Sequence, residues 1–431
     1  MNLEALPRVR RLHLAAAEMA AAESTADPKA RRLGAQRALL LEPMLALSRR
    51  WADALAPLQA PLPATARTEG PRRFLAIACE PFAADRGGGA RYVHDVLGAM
   101  LDLGHQLDVY AVPGADAIDA RALAPLQARG GGRIQSASAD SPARADALLC
   151  LPGWRGARLA MLSGMLDLLT VMAGRRLPAY WLASDHVPSS LGAYVDPHER
   201  RALAEATARL AARSAAVAVV SAHEQARFVA QFGEAAPVRV VSPPLHGPAA
   251  DATRPFDARA DLAFVGSAHA SNAEGLHWFL DAVWPAVRTA WPQARLHLLG
   301  RGVEQLLRAD DRGDTALRVV GAVPDLVAAL ARHRVSIAPM RQGGGIRIKV
   351  LDSFAAGTPV VATPLGAAGI DWCAPLPVPT EDAVTFAAAV AAIGQEPSLW
   401  QPAHERLLAA AADADRAARL RAAVQAWLDM R

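Results

Sequence analysis

From Arg72 onward, short runs of apolar residues alternate with longer amphipathic stretches. The runs Phe74–Cys79, Leu107–Val112, Ala147–Leu151, Ala179–Leu182, Ala216–Val220 and Val238–Val241 are continuously apolar, which predicts strands buried on both faces. Between them, Ala90–Leu103 and His198–Arg213 place apolar residues at helical spacing. This order predicts a parallel sheet covered by helices on both sides.

The pattern breaks at Ser242–Ala260, where Pro243, Pro244 and a glycine accompany little periodicity, so a linker is expected. It then restarts. Leu262–Val265, Arg295–Leu299, Leu317–Val320, Val335–Ala338 and Pro359–Ala362 read as strands, and Ala273–Thr289, Pro324–His333 and Ile346–Ala356 as helices. Pro324 is expected to open one helix and Gly357 to close another. From Asp382 the chain reads as helical to its end. Upstream, Leu33, Leu40, Met44, Leu47 and Trp51 suggest two or three helices ending in the proline-rich stretch Ala56–Ala64. The expected organisation is a helical extension over 1–70, a Rossmann-like domain over 71–245, a linker over 246–260, a second Rossmann-like domain over 261–400 and a helical segment over 401–431. Two doubly wound units place a cleft at the carboxyl ends of both sheets, where such folds bind ligands.

Composition narrows this. The chain has 431 residues, 52% of them apolar and 20% charged, which suits two or three well-packed domains. Its 46 basic and 42 acidic residues leave +4 with no long basic run. Nucleic acid is therefore not an expected partner, while contact with an anionic ligand or membrane surface is compatible with the charge. Three scattered cysteines (Cys79, Cys150, Cys373) form no metal knuckle or disulfide framework. Cys79 and Cys150 read as small core residues. Arginines and glutamates interrupt any apolar signal segment at the N-terminus, and the greasiest stretch, Leu159–Gly174, is short and contains Asp167. The expectation is a cytoplasmic protein that does not span a membrane, with contact at the inner membrane face compatible.

Two segments carry candidate chemistry. Asp85-Arg-Gly-Gly-Gly-Ala-Arg91 follows the first strand and opens a helix, so its glycines let a ligand approach the backbone and the helix start favours an anion. Its spacing is not that of a dinucleotide fingerprint. The second segment runs from Gly343 to Thr363, where a glycine loop leads into a helix with Arg347 and Lys349 at its start. Cations there oppose the helix dipole at a cost of about 0.3–1 kcal/mol each, which a diphosphate would offset. Both side chains are expected at a solvent-accessible helix start. Asp352 reads either as an acceptor for sugar or ribose hydroxyls or as an intrahelical partner of Lys349.

Taken in order, these segments resemble a GT-B-fold glycosyltransferase of the family 4 type, over residues 72 to about 400. The glycine loop with Leu103-Gly-His-Gln-Leu107, the segment Ala215–Glu224, Phe264-Val-Gly-Ser267 with Asn272-Ala-Glu-Gly-Leu276, Leu298-Leu-Gly300, Gly321-Ala-Val323 with Asp325, Ala338-Pro339 and the Gly344–Thr363 block carry the likeness. The resemblance implies a nucleotide-sugar donor held by the C-terminal domain, a glycan or lipid acceptor held by the N-terminal one, retention of configuration, and no metal or other cofactor. It places Gly88 and Gly89 against the donor, Arg347 and Lys349 on its phosphates, Asp352 at the ribose and Val323 near the base. Gly266, Gly344 and Gly345 join the donor-binding set. His186, in Ser184-Asp-His-Val187, is the candidate for a histidine facing the donor sugar, although Asp185 beside it could simply cap a helix.

The sequence also departs from that pattern. The family's motif carries two glutamates where this chain has Gly344 and Asp352, and Ser267–Ala270 replace an arginine and lysine found after the first C-domain strand. Two other readings stay open: a sugar-nucleotide epimerase or hydrolase on the same scaffold, and a catalytically silent binding or scaffolding protein. The donor sugar, the acceptor and the oligomeric state have no readable code.

Overall fold

The computed structural model describes residues 70–78, 82, 87–111, 120–138, 140–152, 175–184, 197–233, 237–370 and 379–430, with positions 159, 162, 165, 166, 169, 170 and 173. The expected extension over 1–70, apart from Gly70, and the candidate His186 lie outside them, as do Cys79 and Cys373. Among the described residues, no helix is long and apolar enough to cross a membrane.

The N-terminal sheet contains β1 (Arg73–Ala78), β2 (Gln106–Ala111), β3 (Ile134–Ser136), β4 (Ala147–Cys150), β5 (Ala179–Ser184), β6 (Ala216–Val219) and β7 (Val238–Val240). Its order is β3-β2-β1-β4-β5-β6-β7, and every pairing is parallel. The continuous apolar runs are explained by the two faces. Phe74 and Ala76 feed one core while Leu75 and Ile77 feed the other, and Ala216 and Val217 divide in the same way. β3 was not visible as an apolar run because only Ile134 is buried, Gln135 and Ser136 being exposed at the sheet edge. The helices are α1 (Gly88–Asp102), α2 (Ala120–Gly130), α3 (Pro197–Arg213) and α4 (Ala222–Phe232).

The C-terminal sheet contains β8 (Ala260–Val265), β9 (Leu296–Leu299), β10 (Leu317–Gly321), β11 (His333–Ala338) and β12 (Val360–Ala362), in the parallel order β10-β9-β8-β11-β12. Its helices are α5 (Ala270–Trp278), α6 (Trp284–Ala290), α7 (Leu326–Leu330), α8 (Ile348–Ala355), α9 (Ala383–Gln395), α10 (Pro397–Ala411) and α11 (Arg416–Leu428).

Two helix expectations need correction. The stretch expected as one helix over Ala273–Thr289 is split by a wide π-turn at Phe279–Val283. That turn precedes Pro285, which has no N–H to donate and whose ring cannot sit over a regular preceding turn. The helix expected from Pro324 starts only at Leu326, because Asp325 caps it by accepting from Ala328 N at 2.9 Å.

The chain then crosses back. α11 packs on α1, and the Trp427 ring meets Tyr180 of β5 edge-on at 5.9 Å. Arg72 reaches the carbonyl of Leu428 at 2.9 Å. One apolar core therefore joins N-terminal strands to Phe354 of α8 and Trp427 of α11. Between the domains, Arg259 is fully buried and donates to the carbonyls of Ala252, Arg254 and Ala356 and to Thr358 Oγ1. It thereby fastens the segment leading into β8 to the carboxyl end of α8, where a cation is favoured.

Candidate functional site: two helix starts at one crevice

One helix from each domain begins at the crevice between the sheets. Gly87 stands at the cap position of α1 and Arg347 at that of α8, and neither first turn receives a side-chain cap. A Cβ on Gly88 would lie 2.5 Å from Cβ of Ile348, the first residue of α8. Only glycine permits this approach. Each helix start carries roughly half a positive charge, so two positive ends meet here. Arg347 and Lys349 add formal charge to the same place.

Arg347 Nη1 donates to Gly344 O at 2.9 Å, which lays the guanidinium along the glycine loop. Lys349 is half-buried, and its side chain turns inward rather than out to solvent as expected. Its ammonium is enclosed, donating to Val265 O at 2.8 Å, Asn272 Oδ1 at 2.7 Å and, more weakly, Met340 Sδ at 3.4 Å. The Phe264 ring lies 5.0 Å from it. The reason is helical phase. Ser353, one turn on, is fully buried and bonds Ser336 of β11, so this side of α8 faces the sheet. Burial, with a smaller contribution from Arg347, pulls the Lys349 pKa from 10.5 down to about 7.

Asp352 faces the other domain. Its buried Oδ1 lies 2.5 Å from Nη2 of Arg91 in α1, so its partner is not Lys349. Burial raises its pKa and the Arg91 charge works against that rise. A second bridge lies nearby. Glu224 of α4 is buried, and its Oε1 accepts the Gly345 N–H at 3.2 Å.

Gly266 follows β8, directly beyond the carbonyl that holds Lys349, and it is buried. Gly300 passes so close that a methyl group there would collide with the Gly266 carbonyl. Gly89 is exposed in the first turn of α1, Gly344 is half-buried in the loop, and Val323 is half-buried beside α7. The structure thus gathers Gly88, Gly89, Gly344, Gly345, Arg347 and Asp352 at the crevice, with Lys349 and Gly266 directly behind it.

Sequence reasoning did not foresee the roles of Arg91, Glu224, Asn272 or His269. His269 caps α5 by accepting from Ser271 N, and burial together with Arg347 and Lys349 lowers its pKa. Glu224 and Asn272 stood inside recognised segments. Their partners, however, lie 121 and 77 residues away, a juxtaposition that spacing along a chain does not reveal.

Residues 259–396, which hold the whole C-terminal sheet, match the family model for Glycosyl transferases group 1. No curated protein matches the chain in sequence. Among solved structures, Anabaena Alr3699/HepE in complex with UDP and glucose aligns with a TM-score of 0.62 at 13% identity, over 83% of this chain and 99% of that one. Sucrose-phosphate synthase from Thermosynechococcus elongatus aligns at 0.55 and 15% identity, over 83% and 94%. A variant of Thermobaculum terrenum O-GlcNAc transferase aligns at 0.54 and 16% identity, over 97% and 78%. The chain has the two-domain fold of GT-B glycosyltransferase structures.

Proposed function

We propose that the protein transfers a sugar from a nucleoside-diphosphate donor to a hydroxyl of a glycan or lipid acceptor. The observation that carries this reading is the meeting of two helix starts without side-chain caps, with Arg347 and Lys349 beside them, at the crevice of a GT-B fold. Such a place favours a multivalent anion. The family model over the C-terminal domain supports the same assignment, and a similar structure binding UDP-glucose makes a UDP-sugar the first donor to test.

In the proposed reaction the bond between the anomeric carbon and the β-phosphate oxygen breaks as the acceptor oxygen bonds to that carbon. The acceptor's proton passes to the departing phosphate. Negative charge grows on the leaving diphosphate, where amides of the glycine loop, Arg347 and Lys349 stabilise it. Well-placed donors of this kind each contribute roughly 10²–10³ in rate. The Met340 thioether is the weakest acceptor around Lys349, and a phosphate oxygen would displace it. Transfer with retention, in the manner of family 4, without a metal and on a cytoplasmic protein at the inner membrane face, belongs to the same proposal. Val323 would border the base and His186 the donor sugar.

The test combines binding with product analysis. UDP and UDP-glucose should raise the melting temperature, by an amount equivalent to about 2.7 kcal/mol at a hundredfold excess over Kd. A glycosylated product, rather than free or epimerised sugar, separates a transferase from a hydrolase or epimerase. A protein that binds these ligands and turns over none is a binding protein. One that binds none of the nucleoside diphosphates lacks the proposed site.

A further inference from the structure

At the end of β5, Ser184 combines two unfavourable features. Its φ is 65°, in the left-handed region that favours glycine, and its buried Oγ has no hydrogen-bond partner. The pairing of β5 with β6 also shifts register between Leu182 and Ser184. Among the described residues one other non-glycine residue has positive φ, Asp261, and the contrast is informative. Asp261 lies near the amino end of β8 and is satisfied, accepting from Arg295 N at 3.2 Å and pairing with His297 at 3.3 Å. Ser184 has no such compensation, and it stands at the opposite, carboxyl end of its strand. Glycine would remove the strain there and alanine the buried hydroxyl, yet the position carries serine. Uncompensated strain of this sort concentrates at ligand sites.

Its location gives the strain a use. In the order β1-β4-β5-β6, the strands on either side of β4 and β5 both lead to contacts with the C-terminal domain. Beyond β1, Gly88 meets Ile348; beyond β6, Glu224 accepts from Gly345 and Ser221 packs on Gly369. The carboxyl end of β5 lies between these contacts, roughly one strand spacing of about 5 Å from β6. It therefore stands on the edge of the sheet that meets the C-terminal domain. The hydroxyl is buried here, so a ligand reaches it only when the flanking contacts part.

We propose that Ser184 is a binding residue for a sugar hydroxyl, presenting its Oγ to the carbohydrate held across the crevice from Arg347 and Lys349; this rests on the transferase reading above. The left-handed backbone interrupts the strand's regular alternation at this residue, and the sugar supplies the partner that the fold withholds.

The test compares Ser184→Gly and Ser184→Ala with the unaltered chain in melting temperature, UDP binding and steady-state kinetics, varying donor and acceptor separately. Ser184→Gly should melt at the same or a higher temperature, since it relieves the backbone. Both variants should bind UDP as tightly as the parent and lose about tenfold or more in kcat/KM. A raised acceptor KM with unchanged donor hydrolysis assigns the hydroxyl to the acceptor, and slowed donor hydrolysis assigns it to the transferred sugar. Parent-like kcat/KM for both substrates in Ser184→Gly overturns the inference and leaves the transferase reading standing. A parent chain that neither binds UDP nor turns over overturns both, and does so before any variant is measured.

Discussion

Arg91 Nη2 lies 2.5 Å from Asp352 Oδ1, and the two residues belong to different domains. Arg91 is in the first turn of α1 and Asp352 in α8, so the ion pair fastens together the helices whose starts form the crevice. Asp352 is 5% exposed and Arg91 keeps about a quarter of its side chain in solvent, at 26%. Removing the cation leaves a buried carboxylate with its principal partner gone, the costly half of any such pair.

Arg91→Ala should therefore destabilise the protein by about 1–3 kcal/mol, with Arg91→Ala/Asp352→Ala recovering part of the loss. A double-mutant cycle by urea unfolding measures the coupling. Strictly additive effects would show that the pair contributes nothing across the domain boundary.

Gly88→Ala tests the approach of the two helices. The added methyl would stand 2.5 Å from Ile348 Cβ, so something must shift by more than an ångström. A cost of about 1–3 kcal/mol is expected, together with weakened donor binding. Ile348→Gly on the same chain removes the opposing Cβ and should restore part of both. A Gly88→Ala variant with unchanged melting temperature and donor affinity would mean the helix starts are not held in contact.

Much of the fold was readable because strands buried on both faces must be apolar at every buried position, and β4, β6 and β1 beyond Arg73 are. The reading stopped where that rule stops. β3 buries Ile134 alone, and the π-turn before Pro285 keeps helical periodicity while changing the hydrogen-bond ladder. At the site, glycines and cations at a helix start were legible as local chemistry. Which way Lys349 points was not, because it depends on the side of α8 that meets the sheet. The Glu224–Gly345 and Arg91–Asp352 bridges depend on how two domains dock, information held jointly by segments far apart.

Arg259 should resist even conservative replacement. It is buried without a carboxylate, and burial, helped by the Arg254 charge, lowers its pKa to about 10. Its guanidinium instead serves several oxygens at once, including Ala252 O, Ala356 O and Thr358 Oγ1. Lysine cannot reach them from one point, so Arg259→Lys should cost about 2–4 kcal/mol by leaving buried acceptors unmet. Thermal unfolding checks this, and a shift below one degree would refute it.

Lys349 makes ligand binding depend on pH in a direction that can be worked out. Its folded pKa of about 7 lies below the ordinary 10.5, so between those values the native state has shed a proton that the unfolded chain keeps. Stability without ligand should accordingly rise with pH across that window, and Lys349→Met should flatten the rise. Donor binding should run the other way. A bound diphosphate favours the charged ammonium, so binding takes up a proton near pH 7 and above, and affinity falls as pH increases. UDP-glucose is the right probe, because its doubly esterified phosphates do not titrate in this range, unlike the terminal phosphate of UDP. Calorimetry in buffers of different ionisation heat counts the protons. Uptake approaching one per donor at pH 8 in the parent, and none in Lys349→Met, is expected. Equal uptake in both would place the phosphates away from this lysine.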